Sequence, residues 1–74
     1  MSSFRTDFAK RLRFVREMRE MTQAELGRLA DLDQTHVAHF EAGHRLPGAE
    51  NLKALAKGLM VSADYLLGLS ERIQ

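Results

Sequence analysis

The fold of this chain is constrained most by one central segment, TQAELGRLADLDQTHVAHFEAG, which begins at Thr22. Thr22 and Glu25 have the spacing of a capping box, in which each side chain satisfies a backbone N–H at the start of a helix. Three apolar residues follow at helical spacing and form one face: Leu26, Leu29 and Ala30. The segment therefore predicts a short helix that begins near Thr22 and buries this face.

Gly27 lies in the middle of this predicted helix. A glycine there costs about 1 kcal/mol relative to alanine, so we expect a second backbone to pass close to it. The next residues, Asp31, Leu32 and Asp33, predict a tight corner. We expect Leu32 to be buried between two helices and the Asp33 carboxylate to cap the second one.

The second helix is expected to run from about Gln34 to Glu41, with Val37 and Phe40 facing inward. Its outward residues are Gln34, Thr35, His36, Ala38 and His39. Solvated helix faces favour Lys, Glu and Arg, whereas Gln, Thr and His can bond base edges or phosphates. An ordinary polar surface would also explain these residue types. The layout of the helix pair favours instead a helix-turn-helix that binds the DNA major groove.

The segment resembles the phage-repressor-type (Xre/Cro) helix-turn-helix family. It follows the spacing of that family's pattern, TQ-x-E-L-A-x-x-x-G-[hydrophobic]-S-x-x-x-[IV]-S-x-x-E-x-G, without a gap. Residues 11–17 resemble the family's first helix, residues 44–47 the loop after the second helix of the pair, and residues 51–68 the last two helices. The resemblance implies an all-α fold, a compact five-helix lambda-repressor-like domain in which helices 2 and 3 form the helix-turn-helix.

The resemblance also implies roles for individual residues. Gln23 matches a glutamine that bonds a DNA phosphate and braces Gln34, the first residue of the recognition helix. Gln34, Thr35 and His39 match positions that reach base edges, and His36 lies at the rim of that surface. Arg45 matches a basic loop position that meets the DNA backbone. The complete expected DNA-binding set is Gln23, Gln34, Thr35, His36, His39, His44 and Arg45.

Two further implications concern the protein interior. Arg16 and Glu41 match a family pair that forms an ion pair and ties helix 1 to the end of the recognition helix. Where the family commonly has glycine after a helix, this chain has Glu20, Asp31 and Met60. These sites favour a left-handed backbone, which Glu and Met adopt at a cost of about 1 kcal/mol each. Either the corners use a different turn, or the domain accepts strain.

The chain is expected to form one domain over residues 1–74. Residues 6–69 are the expected ordered core, and residues 70–74 are either a frayed tail or part of a dimer interface. Three residues could continue an apolar edge there: Leu66, Leu69 and Ile73. Outside the helix pair, we expect helix 1 at about 6–19, helix 4 at about 49–59, and helix 5 at about 63–67, capped by Ser62.

Composition limits the classes of function. The chain has no cysteine, which excludes a disulfide or a Cys-based zinc site and fits a cytoplasmic protein. No apolar run has the length of a signal peptide core or a membrane span. The net charge is only +1, and the positive charge is concentrated in residues 1–20. We therefore expect few direct charge contacts to phosphate and weak binding by a single domain.

These patterns predict a sequence-specific protein for double-stranded DNA, a transcriptional repressor that acts as a homodimer on a palindromic operator. Its half-sites would lie about 34 Å apart. The alternative is an antitoxin or restriction-modification controller that binds DNA and a partner protein, such as a toxin or antirepressor. A metal sensor using His36, His39 and His44 lacks a secure third ligand, so no metal or cofactor is expected. No nucleophile–base constellation predicts an enzyme.

Overall fold

The computed structural model describes residues 3–73, and these residues form five α-helices and no strand. The bounds are α1 Phe4–Met18, α2 Gln23–Ala30, α3 Gln34–Glu41, α4 Ala49–Leu59 and α5 Ala63–Leu67. This arrangement confirms the expected all-α, five-helix fold. Helix α1 begins earlier than expected because the Ser3 hydroxyl caps it, accepting a hydrogen bond from the Thr6 N–H at 3.1 Å. None of the five described helices is long and apolar enough to cross a membrane.

The predicted capping box is present at the start of α2. The Glu25 N–H donates to Thr22 Oγ1 at 3.0 Å, and the Thr22 N–H donates to Glu25 Oε1 at 2.8 Å. Hydrogen bonds from the Thr22 backbone, and secondarily from its side chain, hold the pKa of the Glu25 carboxyl below its ordinary value. The sequence therefore predicted the start of α2 correctly, because both partners lie within one turn.

The prediction that the Asp33 carboxylate caps α3 is wrong. Asp33 does precede the helix, but its side chain makes no capping hydrogen bond. Its backbone carbonyl accepts from the N–H groups of His36 and Val37, at 3.0 and 3.4 Å. The Asp33 carboxylate is exposed, and water solvates a charged group well.

All five described helices end in the same motif. One residue adopts a left-handed conformation, and its N–H and the next N–H bond back to carbonyls of the last turn, as in the Schellman motif. The left-handed residues are Glu20, Asp31, Gly43, Met60 and Gly68, with φ between 57° and 81°. Three of these are not glycine. The domain thus accepts strain at the three departures noted in the sequence and does not use a different turn.

Every helix contributes to one apolar core. Its largest fully buried side chains are Phe8, Leu12, Val15, Leu26, Val37, Leu55, Leu59 and Leu66. Leu32 is partly buried and packs against this cluster. The expectation that Leu29 shares the buried face of α2 is wrong, since Leu29 is 59% exposed. Leu29 borders α4 at Gly58, where a Cβ would lie 3.3 Å from Leu29 Cβ, so the neighbouring residue has no side chain to cover it.

The C-terminal segment folds back onto the start of α5. The Ser62 N–H donates to the Ile73 carbonyl at 2.8 Å, and Ile73 packs against the core. Leu66 is fully buried, whereas Leu69 is 75% exposed. Leu66 and Ile73 therefore pack against the same core, whereas Leu69 lies outside it. Gln74 lies outside the described residues.

Candidate nucleic-acid interface

The corner between α2 and α3 brings two backbones into close contact. A Cβ added at Gly27 would lie 2.6 Å from the carbonyl oxygen of Leu32. The Leu32 N–H also donates to the Gly27 carbonyl at 2.7 Å. The expectation that a second backbone passes close to Gly27 is confirmed. This contact leaves no room for a side chain and sets how closely the two helices meet.

Helix α3 has a buried face and an exposed face. Val37 and Phe40 are almost fully buried, at 0% and 4% exposure. The outer side carries Gln34, Thr35 and His36, all exposed, with His39 half-buried beside them. Within residues 3–73, the side chains of Gln34, Thr35 and His36 make no hydrogen bond to another residue. Their donors and acceptors are therefore available to a ligand.

A hydrogen-bonded ion pair fixes the far end of α3. Arg16 donates from Nε to Glu41 Oε2 at 2.6 Å and from Nη2 to Glu41 Oε1 at 3.0 Å. The two side chains are 11% and 3% exposed. Arg16 also donates from Nη1 to the Met21 carbonyl at 2.7 Å, and the hydrogen bond to Glu41 raises the pKa of the guanidinium above its ordinary value. The structure thus brings together the pair that the family resemblance implies, and this pair ties α1 to α3.

Gln23 also bonds Glu41, a contact that the sequence did not predict. Its Nε2 donates to Glu41 Oε1 at 3.1 Å. The expected bracing partner was Gln34, at the start of α3, but the amide bonds the residue at the end of that helix. No spacing rule predicts this contact, because the two residues meet only through the crossing of α2 and α3. Gln23 therefore helps to orient α3 even without DNA.

His39, in the last turn of α3, lies close to His44, in the loop that follows the helix. Their ring centroids are 6.0 Å apart and the rings are tilted by 47°. The His44 N–H donates to the His39 carbonyl at 3.0 Å. Over residues 3–73, no three His, Cys, Asp or Glu side chains converge in a way that could hold a metal ion. The proximity of the histidines is thus a pairwise contact between rings.

Comparison with known proteins agrees with this geometry. A family model described as helix-turn-helix matches residues 12–66. The chain belongs to the helix-turn-helix family. Two findings confirm the resemblance to phage-repressor-type proteins: this match, and a similarity to the repressor protein C2 of Salmonella phage P22. That similarity is 36% identity over 58 residues, covering 78% of this chain and 27% of the phage protein.

Solved structures share the same helix-turn-helix fold. The restriction-modification controller protein C.AhdI from Aeromonas hydrophila superposes with a TM-score of 0.81 at 31% identity, covering 84% of this chain and 94% of that one. The P22 c2 repressor in complex with a synthetic operator superposes with a TM-score of 0.81 at 33% identity, covering 85% of this chain and 96% of that one. In this helix-turn-helix protein, the helix pair is α2 and α3.

Several arginines of this helix-turn-helix protein stabilise helix ends. Arg19 donates from Nε to the Leu59 carbonyl at 2.9 Å and from Nη2 to the Met60 carbonyl at 3.2 Å. The Arg11 guanidinium lies against Gly68, at the end of α5, about 3.1 Å from where a Cβ would be. Cations at helix C-termini are favourable because the last carbonyls carry partial negative charge. Much of the basic character of residues 1–20 is therefore used within the domain.

The acidic residues lie close to the exposed face of the helix-turn-helix. Asp31, Asp33, His36 and Arg28 line a shallow depression at the corner. Arg45 is exposed in the loop after α3. The outer face of α3 itself offers the neutral donors and acceptors of Gln34 and Thr35, with the cations Arg28 and Arg45 exposed on the neighbouring helix and loop. The structure places all seven sequence-predicted DNA-binding residues on α2, on α3 or in the following loop.

Proposed function

We propose that this chain is a sequence-specific regulator that binds double-stranded DNA and inserts α3 into the major groove. The observation that carries the proposal is the outer face of α3, whose first three side chains are exposed and uncommitted. Helix α3 has eight residues, and an α-helix with its side chains is about 10–12 Å in diameter. The major groove is about 12 Å wide and admits an α-helix.

The contacts follow from where each residue lies. Gln34, Thr35 and His39 would reach base edges from the outer face, with His36 at its rim. A glutamine amide has two N–H donors. Since Gln23 directs one of them to Glu41, the second remains for a DNA phosphate. His44 and Arg45 would approach the DNA backbone from the loop after α3.

We further propose a cytoplasmic transcriptional repressor, without catalytic activity, that binds a palindromic operator as a homodimer. The similarity to the P22 repressor supports this role. A homodimer would place two recognition helices about 34 Å apart, one turn of DNA. The second candidate, a restriction-modification controller or an antitoxin with a protein partner, is supported by the fold shared with C.AhdI.

Selection of bound sequences from a random DNA pool tests the proposal most directly. We expect enrichment of a palindrome with half-sites about 10 base pairs apart. Sedimentation of the protein with the selected DNA should give the mass of two chains per duplex. Failure to enrich any sequence would contradict specific DNA binding. Enrichment of a single half-site with one chain bound would contradict the dimer alone.

A further inference from the structure

We infer that His44 is a positioning residue that holds the imidazole of His39 in the orientation needed to read one base pair. The inference rests on the proposed function, since it assumes that His39 reaches a base edge. The proposed function has His44 approach only the DNA backbone. The present inference adds that the choice of base pair depends on His44, although this residue lies outside α3.

The backbone at the end of α3 places the two histidines together. The Gly43 N–H donates to the Phe40 carbonyl at 3.2 Å and the His44 N–H donates to the His39 carbonyl at 3.0 Å. Gly43 has a φ of 78°. In the Schellman motif, the two residues in the positions of His39 and His44 frequently make an apolar side-chain contact. Here two imidazole rings occupy those positions.

The distance between the two rings is that of an interacting aromatic pair. Such pairs have centroids about 4.5–7 Å apart and are worth about 0.5–1.5 kcal/mol beyond buried area. The centroid distance of 6.0 Å between His39 and His44 lies in this range. One side of the His39 ring is thus held by His44, which restricts the rotation of a side chain that is otherwise only half-buried.

His36 provides the internal comparison. It lies three residues before His39 on the same helix and is exposed. In the part of the chain that the structure describes, the His39–His44 contact is the one aromatic pair, so His36 lacks such a support. A side chain already held in place loses less conformational entropy on binding. His39 is therefore better suited than His36 to discriminate between base pairs.

The test is selection from a random DNA pool with the full chain, four single variants and one double variant. His39→Ala should lose discrimination at one base pair of the half-site. His44→Ala should weaken discrimination at the same base pair by about 2- to 10-fold, the factor that corresponds to the energy of an aromatic pair. His44→Phe should restore it, since phenylalanine supplies a ring but no charge or N–H. Arg45→Ala, the matched control, should weaken binding to all sequences alike.

Other outcomes overturn the inference. If His44→Ala lowers affinity uniformly, as Arg45→Ala does, His44 contacts only the DNA backbone. If the double variant His39→Ala, His44→Ala loses more discrimination than His39→Ala alone, His44 does not act through His39. Either result leaves the proposed DNA-binding function intact. If the unmodified chain enriches no sequence, the proposed function and this inference both fail. Circular dichroism of each variant confirms that α3 is retained.

Discussion

The inner side of α3 ends in Glu41, whose carboxylate accepts hydrogen bonds from Arg16 and Gln23. The outer side begins with Gln34, whose amide bonds no other residue in the range 3–73. Both residues are polar and lie on the same short helix. The difference shows that polar side chains on α3 serve two purposes: those bonded internally fix the orientation of the helix, and those left unbonded can bind a ligand. Substitutions on the two sides should therefore affect different measurements.

The largest effect is expected from Glu41→Ala. Removing the carboxylate strands the Arg16 guanidinium, which is 11% exposed, and breaking a buried pair in this way costs about 3–5 kcal/mol. Urea unfolding followed by circular dichroism measures the loss. The control is the double variant Arg16→Met, Glu41→Leu, which leaves no stranded charge and should lose much less. A loss below about 1 kcal/mol for Glu41→Ala would show that the pair behaves as an exposed one.

Gly27→Ala tests how tightly α2 and α3 pack at the corner between them. The added Cβ would lie 2.6 Å from the Leu32 carbonyl oxygen, and overpacking of this kind costs about 1–3 kcal/mol. Gly58→Ala is the matched control, since Gly58 also lies inside a helix and the nearest atom to a Cβ there is a side-chain carbon, Leu29 Cβ, at 3.3 Å. The difference between their free energies of unfolding measures the clash. Equal values would mean that α2 and α3 can move apart at no cost.

Gln34→Ala examines the outer side. Loss of a bidentate base contact should weaken binding to the selected site by about 1–3 kcal/mol and change binding to random DNA little. The free energy of unfolding should change by less than about 0.5 kcal/mol, because the side chain is exposed. Fluorescence anisotropy with both DNA molecules, combined with urea unfolding, separates the effects. An equal loss on both DNA molecules would place Gln34 on the DNA backbone.

Met60→Gly should have the smallest effect and leave both sides of α3 unchanged. Met60 has a φ of 57°, and this left-handed conformation costs about 1 kcal/mol. Glycine relieves this strain but loses about 0.5–1 kcal/mol of conformational entropy, so we expect a net gain of up to about 0.5 kcal/mol. A thermal melt measures it, with Asp31→Gly giving a smaller gain since Asp tolerates this conformation. A lower melting temperature for Met60→Gly would show that packing of the Met60 side chain outweighs the strain.

Predictions from the sequence were most accurate where the interacting groups are close in the chain. Thr22 and Glu25 formed their capping box as expected, since both lie in one helical turn. The close approach at Gly27 was also predicted, because a mid-helix glycine is costly without a packing reason. The Arg16–Glu41 pair, whose partners are 25 residues apart in the chain, came instead from the resemblance to a known family.

The chain alone therefore determined the helices, the capping box of α2 and the polar composition of the outer side of α3, because these depend on residues within a few positions of one another. Tertiary structure alone decided that Gln23 bonds Glu41 and that Leu29 stays exposed beside Gly58. It also decided that Ile73 returns to Ser62. Each of these contacts joins separate helices or segments. Their partners depend on how the elements pack in three dimensions, which local spacing does not specify.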